Sequence, residues 1–362
     1  MKTPSITTVQ FFILTFGLTL GTSILVTPSG LAGIAREDAW IADLLSTAIN
    51  LFMVCIYIVL ARLYPGSNLF EIFENILGKW CGKVLSLLYL FYILILTGTL
   101  LGNLGFFLTS EMMPETPIEA TQILFLIAAV VCARLGIVVL ARVGELVFPF
   151  IIVLFLVLVL TLIPQIHLDF ILPIFDDGIA PIIKAGSHAA VFQELIIMMV
   201  FIPLVQEKKK GERAFLGGAL LGELFLTLLV LLSVLVLGIE QTENNSFPAY
   251  ALAKTINVGN FLQRVEGILV MIWILTFFIK ISLLFFSMLK GMRVVFGLKE
   301  EGALINTFSV LIILVAWETY INSVYVGEII QKVWFSYALL HLIVVPFLLC
   351  LTGLIKRKLL RK

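Results

Sequence analysis

Long apolar runs separated by short polar loops fill most of this chain. A membrane-spanning helix needs about 20 apolar residues, and the pattern predicts ten such spans, with no linker long or polar enough to separate domains. Residues 68–80 are too few to cross a bilayer and are amphipathic, so we expect them to lie along the membrane surface. The predicted spans cover residues 6–33, 40–61, 84–110, 118–133, 143–163, 179–205, 214–238, 262–289, 303–325 and 334–355.

The first span carries weak helix formers at its centre. Gly17, Gly21, Thr22 and Ser23 are followed by Pro28, and glycine and proline cost about 1 and 3 kcal/mol relative to alanine inside a helix. In hydrocarbon, non-helical backbone is tolerated only where it is buried in protein or lines a wet cavity. We therefore expect this helix to be broken near mid-membrane. The alternative is an unbroken helix whose glycines pack closely against a neighbour.

The sixth span has a similar group of small and polar residues in its first half. Gly186, Ser187 and His188 are followed by two alanines, and Gln193 and Glu194 come next. The pattern predicts a second break just before Glu194.

The positions of the two interruptions predict a repeated architecture. Broken helices at corresponding places in two halves are typical of transporters built as an inverted repeat. Residues 5–165 would form the first five-helix repeat and residues 178–356 the second, although the halves share no visible sequence similarity. We therefore predict an all-α, polytopic, transporter-like membrane protein with a 5+5 inverted repeat and a binding site between the breaks in helices 1 and 6.

Composition and charge agree with a membrane protein. Of the 362 residues, 61% are hydrophobic and 13% are charged, whereas about 25% of residues in a soluble domain are charged. If the N-terminus is cytoplasmic, 18 of the 24 Lys and Arg residues face the cytoplasm and five face outward. Because positive residues concentrate in cytoplasmic loops, we expect both termini in the cytoplasm. The four cysteines lack metal-like spacing and are expected to be reduced.

Two ionisable residues at membrane depth are candidates for function, because charges there are expensive. Glu194 is expected to cap freed backbone amides or to orient a ligand ammonium; the alternative is a carboxyl held at a helix interface by a neighbouring hydroxyl. Lys280 has apolar neighbours on both sides. It either replaces a coupling cation, or acts as a gating charge or proton carrier, or its side chain snorkels to the cytoplasmic interface.

Two other carboxyl groups favour structural roles. Glu223 follows a Gly218-xxx-Gly222 spacing that suits close helix packing. Glu145 comes three residues after Arg142 at a helix start, where an interfacial ion pair is expected.

The first break also suits an anionic group. Amides at the start of a half-helix and the helix dipole favour negative charge, and Gly21, Thr22 and Ser23 supply amides and hydroxyls there. Together with a carboxyl for an ammonium, this combination fits a zwitterionic amino acid, although another small anion fits the first break as well. His188 either lines the same cavity or has its hydrogen bonds satisfied near the interface without a binding role.

Enzyme functions find little support. The chain contains no P-loop, no H-E-x-x-H, no G-x-S-x-G and no His/Cys cluster at metal spacing, so we predict no catalytic residue, metal or cofactor. An ATP-driven pump needs a nucleotide-binding domain that this chain cannot contain. No filter-like signature in the sequence indicates a channel. No nucleic-acid partner is predicted, and the basic C-terminal segment KRKLLRK is expected to contact anionic lipid.

LGTSILVTP, from Leu20 to Pro28, resembles the broken first helix of the amino acid/polyamine/organocation superfamily. In that superfamily a G-x-G type segment holds the substrate carboxylate. Here the segment is Gly21-Thr22-Ser23, with Ser where many members have Gly.

VFQEL resembles an F-x-G-x-E-like segment of the superfamily's sixth helix, with Gln193 near the usual Gly. Residues in the third and eighth helices are assigned by helix position alone. The binding residues implied by this resemblance are Gly21, Thr22, Ser23, Thr97, Gly98, Phe192, Gln193, Glu194 and Ser282.

A longer ordered set of segments resembles the endospore germination permeases, the B subunits of nutrient germinant receptors. RLYPGSNLFEIFENILGKWCGKVLSLLYLFY is followed by PETPIEA, ARLGIVVLARVGELVFPF, LPIFDDGIAPIIKAG and FIPLVQEKKKGERA. The resemblance covers most of the chain, roughly residues 5–300, and is strongest over 62–213.

This second resemblance implies a location, partners and a function. The protein would lie in the spore inner membrane with a receptor A subunit and a lipoprotein C subunit. It would bind a small germinant, such as an amino acid, as a signal rather than for uptake. The alternatives are a proton-coupled amino acid permease, in which Lys280 or Glu194 titrates, and a structural subunit without a ligand.

Overall fold

The structure, a computed structural model, is almost entirely helical. Its described residues contain no strand, and one isolated parallel bridge joins Ile6 to Val205. The all-α prediction is confirmed. The structure describes residues 5–256, 266–300, 302–319 and 333–359.

Fourteen helices follow one another along the described chain. Short 3-10 segments lie between some of them, and α14 contains a π-helical turn at Leu340–Val344. The helices are α1 (Thr8–Leu20), α2 (Ser23–Ala35), α3 (Ala39–Leu63), α4 (Leu69–Leu77), α5 (Lys79–Glu111), α6 (Ile118–Leu135), α7 (Ile137–Leu162), α8 (Ile179–Ala190), α9 (Lys208–Leu237), α10 (Ile239–Asn244), α11 (Pro248–Lys254), α12 (Glu266–Phe296), α13 (Gly302–Thr319) and α14 (Phe335–Leu359).

Eight helical stretches in the described part are long and apolar enough to cross a membrane. Two shorter apolar helices, Thr8–Leu20 and Leu304–Thr319, fall in the first and ninth predicted spans. The chain is a multi-pass membrane protein, and the count of ten spans stays a prediction. Residues 262–265 of the eighth predicted span and 320–325 of the ninth lie outside the described residues.

Burial separates lipid-facing helices from central ones. On α7, the large apolar side chains of Leu146, Phe150, Val153 and Leu160 are exposed at the spacing of one helix face, as expected of a helix against lipid. In contrast, α12 is buried over most of its length. It packs against α1, α5, α6 and α7, so its side chains line the centre of the molecule.

The predicted surface segment forms the short amphipathic helix α4. The Asn68 side chain accepts hydrogen bonds from the first amides of α4, and the Glu71 carboxylate accepts from the Asn68 amide, which completes a capping box. A Cβ at Gly82 of α5 would lie 2.5 Å from Cα of Glu74, so the two helices pack in direct backbone contact. The position of α4 on the membrane surface stays a prediction.

The glycines of α9 allow α1 to pack closely against it. A Cβ at Gly218 would lie 2.4 Å from the carbonyl oxygen of Phe12, and one at Gly222 would lie 2.6 Å from Cβ of Thr19. The small-residue spacing was therefore a correct sign of close helix packing.

Candidate functional site

The first span is interrupted at Gly21 and Thr22, between α1 and α2. Gly21 has φ +22° and ψ −120°, a conformation that residues with a Cβ rarely adopt. A Cβ here would lie 2.2 Å from Cδ of Lys280, so glycine lets that side chain pass. Within the described chain the Thr22 side chain makes no capping hydrogen bond. The amides of Ser23 and Ile24 precede the first intrahelical bond, and the Leu25 amide donates to the Thr22 carbonyl. Pro28 lies inside α2 without breaking it.

The sixth span is interrupted later than predicted. Helix α8 continues through the small residues and ends at Ala190, so Glu194 lies within the break at 191–194 and not after it. Glu194 has φ +32° and ψ +33°, the left-handed region that is uncommon for a residue with a Cβ. The chain resumes as a 3-10 helix, Leu195–Val200. The small residues serve packing, since a Cβ at Gly186 would lie 2.6 Å from a backbone oxygen of α3.

The two interrupted spans run side by side in opposite directions. At one end, the Ile6 amide donates to the Leu204 carbonyl at 3.0 Å, and the Gln206 amide donates to the Ile6 carbonyl at 3.1 Å. Further inside, the Ser23 hydroxyl donates to Oε1 of Gln193 at 3.4 Å. The two breaks therefore meet in the interior of the protein.

A buried ion pair lies where the breaks meet. Nζ of Lys280, from α12, is 2.7 Å from Oε2 of Glu194 and donates to the Phe192 carbonyl at 3.5 Å. The two side chains are only 1% and 2% exposed. Lys280 therefore does not snorkel to the interface. A pair this deep is tolerated only with good geometry and added hydrogen bonds, because removing both charges from water is costly.

Each member of the pair offers a charge to a ligand. A ligand ammonium can replace Lys280 beside Glu194. A ligand carboxylate can bind Lys280 and the amides at the start of α2, where the half-helix dipole also favours negative charge. The exchange keeps the interior neutral. The predicted residues that meet here are Gly21, Thr22, Ser23, Phe192, Gln193, Glu194 and Lys280.

Three other predicted binding residues serve contacts elsewhere. The Thr97 hydroxyl donates to the carbonyl one turn earlier in α5. A Cβ at Gly98 would lie 2.4 Å from a side-chain atom of α13, so this glycine lets α5 and α13 approach. Ser282 is fully buried two residues from Lys280, on the opposite side of α12, and so faces away from the ion pair. Their part in ligand binding stays a prediction.

Two further polar residues contact other parts of the protein. The His188 ring stacks on Phe335 of α14 with ring centroids 3.9 Å apart. Glu145 accepts a hydrogen bond from Nε2 of Gln10 at 2.9 Å. Its expected pair with Arg142 is wrong for the described structure, because Gln10 at the start of α1 supplies the donor.

An aromatic cluster at the π-helical turn of α14 was missed by the sequence analysis. Tyr92 of α5 is fully buried and stacks on His341 with centroids 4.8 Å apart. His341 lies in the π-helical turn of α14, whose carbonyls accept hydrogen bonds from the hydroxyls of Tyr57 and Tyr89. The presence of tyrosines in apolar spans is the sequence feature that could have revealed the cluster, because a buried Tyr hydroxyl needs a hydrogen-bond partner.

Comparison with known sequences gives two consistent findings. The sequence model of a family described as "Spore germination protein" matches residues 5–324. Spore germination protein KB of Bacillus subtilis (strain 168) is 26% identical over 300 residues, which cover 82% of this chain and 80% of that protein. The family match includes both helix breaks.

Two solved structures share the fold. MhsT, crystallised in complex with L-phenylalanine, superimposes with a TM-score of 0.71 at 15% identity, over 98% of this chain and 89% of that one. Mhp1, a nucleobase-cation-symport-1 family transporter in a closed conformation with bromovinylhydantoin bound, gives a TM-score of 0.70 at 11% identity, over 93% of this chain and 76% of its own. At such identities the likeness shows the fold alone, which is that of membrane transporters.

Proposed function

Because this chain belongs to the spore germination protein family, we propose that it is the transporter-like subunit of a spore germinant receptor and binds a small zwitterion, an amino acid, at the two helix breaks. The observation that carries this proposal is the buried Glu194–Lys280 ion pair where the interrupted helices meet. Family and fold are those of transporter and receptor proteins rather than enzymes.

Ligand binding would exchange the internal ion pair for two ligand contacts. The ammonium would bind Glu194, and the carboxylate would bind Lys280 and the amides near Ser23. Because Glu194 belongs to the sixth span and Lys280 to α12, separating them changes how two elements are held together. A ligand shifts a conformational equilibrium only through different affinities for the two states; here it would favour the state with the ion pair open.

The change would pass to partner subunits and promote germination. We place the protein in the spore inner membrane with both termini in the cytoplasm, assembled with a receptor A subunit and a lipoprotein C subunit. The charge distribution supports the orientation, and family membership supports the assembly and the signalling role.

Thermal unfolding of the purified full chain tests the ligand class. Each amino acid is compared with its amide, which lacks the carboxylate, and with its des-amino acid, which lacks the ammonium. We expect a saturable rise in Tm with the zwitterion alone. Glu194→Gln should lose the rise, whereas Glu145→Gln should keep it, because Glu145 lies away from the breaks and accepts from the Gln10 side-chain amide. No response to any zwitterion would overturn the proposal.

The fold shared with a transporter favours one second candidate, a proton-coupled amino acid permease in which Lys280 or Glu194 exchanges a proton. In liposomes with an imposed proton gradient, a permease accumulates labelled amino acid, whereas a sensor binds it without uptake. A chain that neither binds nor transports would be a structural subunit.

A further inference from the structure

A second buried polar cluster lies between α3 and α9, apart from the ligand site. Asp43 and Glu223 are both fully buried. Oδ2 of Asp43 accepts a hydrogen bond from the Thr227 hydroxyl at 2.6 Å. Oε1 of Glu223 accepts one from Nδ2 of Asn50 at 2.8 Å. Each carboxylate therefore has one oxygen that accepts one of these hydrogen bonds and one oxygen that does not.

Four oxygens of this cluster have no hydrogen-bond partner among the described residues: Asp43 Oδ1, Ser46 Oγ, Thr47 Oγ1 and Glu223 Oε2. The Ser46 side chain is fully buried and the Thr47 side chain is 6% exposed. The three residues from α3 share one helix face, because positions three and four apart line one side. Buried polar atoms normally have partners, so these oxygens are available to contact a bound group.

The two carboxylates also have no positively charged partner among the described residues. They lie along the same contact between helices, because Asp43 of α3 bonds Thr227 of α9 and Glu223 of α9 bonds Asn50 of α3. Neither takes part in an ion pair of the described structure. The buried Lys280 is already engaged by Glu194. Two ionised carboxylates without a counter-charge are very unfavourable away from water.

We propose that the α3–α9 cluster binds a hard metal cation through one oxygen of each carboxylate and the hydroxyls of Ser46 and Thr47. Carboxylate and neutral oxygens are the ligands that such cations take. Two carboxylates balance a divalent cation fully and a monovalent cation in part. A proton on one carboxylate would reduce the charge and add a single O–H donor, whereas a metal cation contacts several oxygens at once, so the four-oxygen set fits a metal cation better.

The cluster lies close behind the first helix break. Gly222, the neighbour of Glu223, packs against Thr19, two residues before Gly21. A cation that holds Asp43 and Glu223 together would therefore brace α9 and α3 next to the point where α1 ends. This site is separate from the ligand site at Glu194 and does not depend on which ligand binds there.

Thermal unfolding of the full chain, stripped with chelator, tests the proposal. NaCl, KCl, MgCl2 and CaCl2 are titrated at fixed pH, with choline chloride holding the ionic strength constant. At least one cation should raise Tm saturably, and the rise should vanish in Asp43→Asn and in Glu223→Gln. Both variants keep side-chain volume and an acceptor for Thr227 or Asn50, so the fold should be retained. Glu145→Gln is the matched control and should respond as the wild type does.

Thr47→Val gives an independent measure. It keeps both carboxylates but removes one oxygen, and it should raise the half-saturating cation concentration severalfold. The proposal is overturned if no cation shifts the wild-type Tm, or if wild type and Glu223→Gln shift equally, which is a general salt effect. A Tm that follows pH but no metal cation identifies a bound proton instead and also overturns it. Zwitterion binding stays measurable in Glu223→Gln, so the two proposals fail separately.

Discussion

At the scale of single residues, Gly21 controls how Lys280 reaches Glu194. A side chain at this position would have to share space with the lysine stem, and its φ of +22° disfavours any Cβ. We expect Gly21→Ala to displace Lys280 and to lower the free energy of unfolding by about 1–3 kcal/mol. It should also abolish the zwitterion-induced rise in Tm, and both effects are measured by thermal unfolding.

Gly33→Ala is the matched control for Gly21→Ala. It lies in α2 beyond the same break, and nothing lies within 4 Å of the Cβ it would add. Alanine is favoured over glycine inside a helix by about 1 kcal/mol, so stability should hold or rise. Equal losses in the two variants would show that Gly21 has no special role.

Because Glu194 and Lys280 form an ion pair, we expect the double substitution to reduce stability less than either single substitution does. Lys280→Met leaves Glu194 unpaired, and Glu194→Gln leaves Lys280 unpaired; breaking a buried pair from one side costs about 3–5 kcal/mol. The double variant removes both charges and should recover most of that loss. It should fold, as judged by Tm and monodispersity, yet bind no zwitterion. Losses that simply add in the double variant would contradict this account.

At the scale of elements, the sequence predicted two interrupted helices and placed each break only to within several residues. Gly17, Gly21 and Pro28 all weaken the first span, yet only Gly21 breaks it, because Gly17 packs against α12 within the helix. In the sixth span Gly186 packs against α3 within the helix, and the break falls at 191–194 instead. Propensity identifies a weak helix, and tertiary contacts select the residue that gives way.

The contacts between spans could not be predicted from the sequence, for a related reason. Lys280 could be recognised as a charge at membrane depth, but its partner lies 86 residues away and is chosen by the fold. Asp43 lies near the start of the predicted span 40–61, and nothing in the sequence pairs it with Glu223. Only the packing of α3 on α9 places it in a closed interior with Glu223.

The π-helical turn of α14 makes a prediction about two tyrosines. The Tyr89 hydroxyl donates to the carbonyl of His341, and that of Tyr57 donates to the carbonyl of Leu342. Tyr57→Phe and Tyr89→Phe should each lower the free energy of unfolding by about 1–3 kcal/mol, because each leaves a buried acceptor without its donor. Tyr64→Phe is the control, since the Tyr64 hydroxyl donates no hydrogen bond within the described residues. Denaturant titration of the three variants gives the comparison.

At the scale of the whole molecule, the first span connects two buried charged clusters. Helix α1 packs against both α9 and α12, which carry Glu223 and Lys280. The break at Gly21 is therefore in contact with the ligand site directly and with the proposed cation site through Thr19 and Gly222. A rearrangement of α1 and α2 on ligand binding would thus be felt by α9, and a cation held there would set how freely those helices move.

The charge distribution predicts how this arrangement lies in the membrane. Single cysteines are introduced into a variant without the four natural ones, because Cys55 and Cys81 are exposed. Glu115→Cys and Asn244→Cys lie in exposed segments of the predicted outer loops, and Lys209→Cys lies in a predicted inner loop.

The two outer cysteines should react with a membrane-impermeant maleimide on intact cells, and the inner one only after lysis, because positive loops remain in the cytoplasm. The reverse pattern would place both termini outside. A mixed pattern for the two outer positions would overturn the span count between them, and with it the assignment of the break at Glu194 to a sixth span. The experiment therefore tests the inverted-repeat interpretation as well as the orientation, since opposite orientations of the first and sixth spans are what bring the two breaks together.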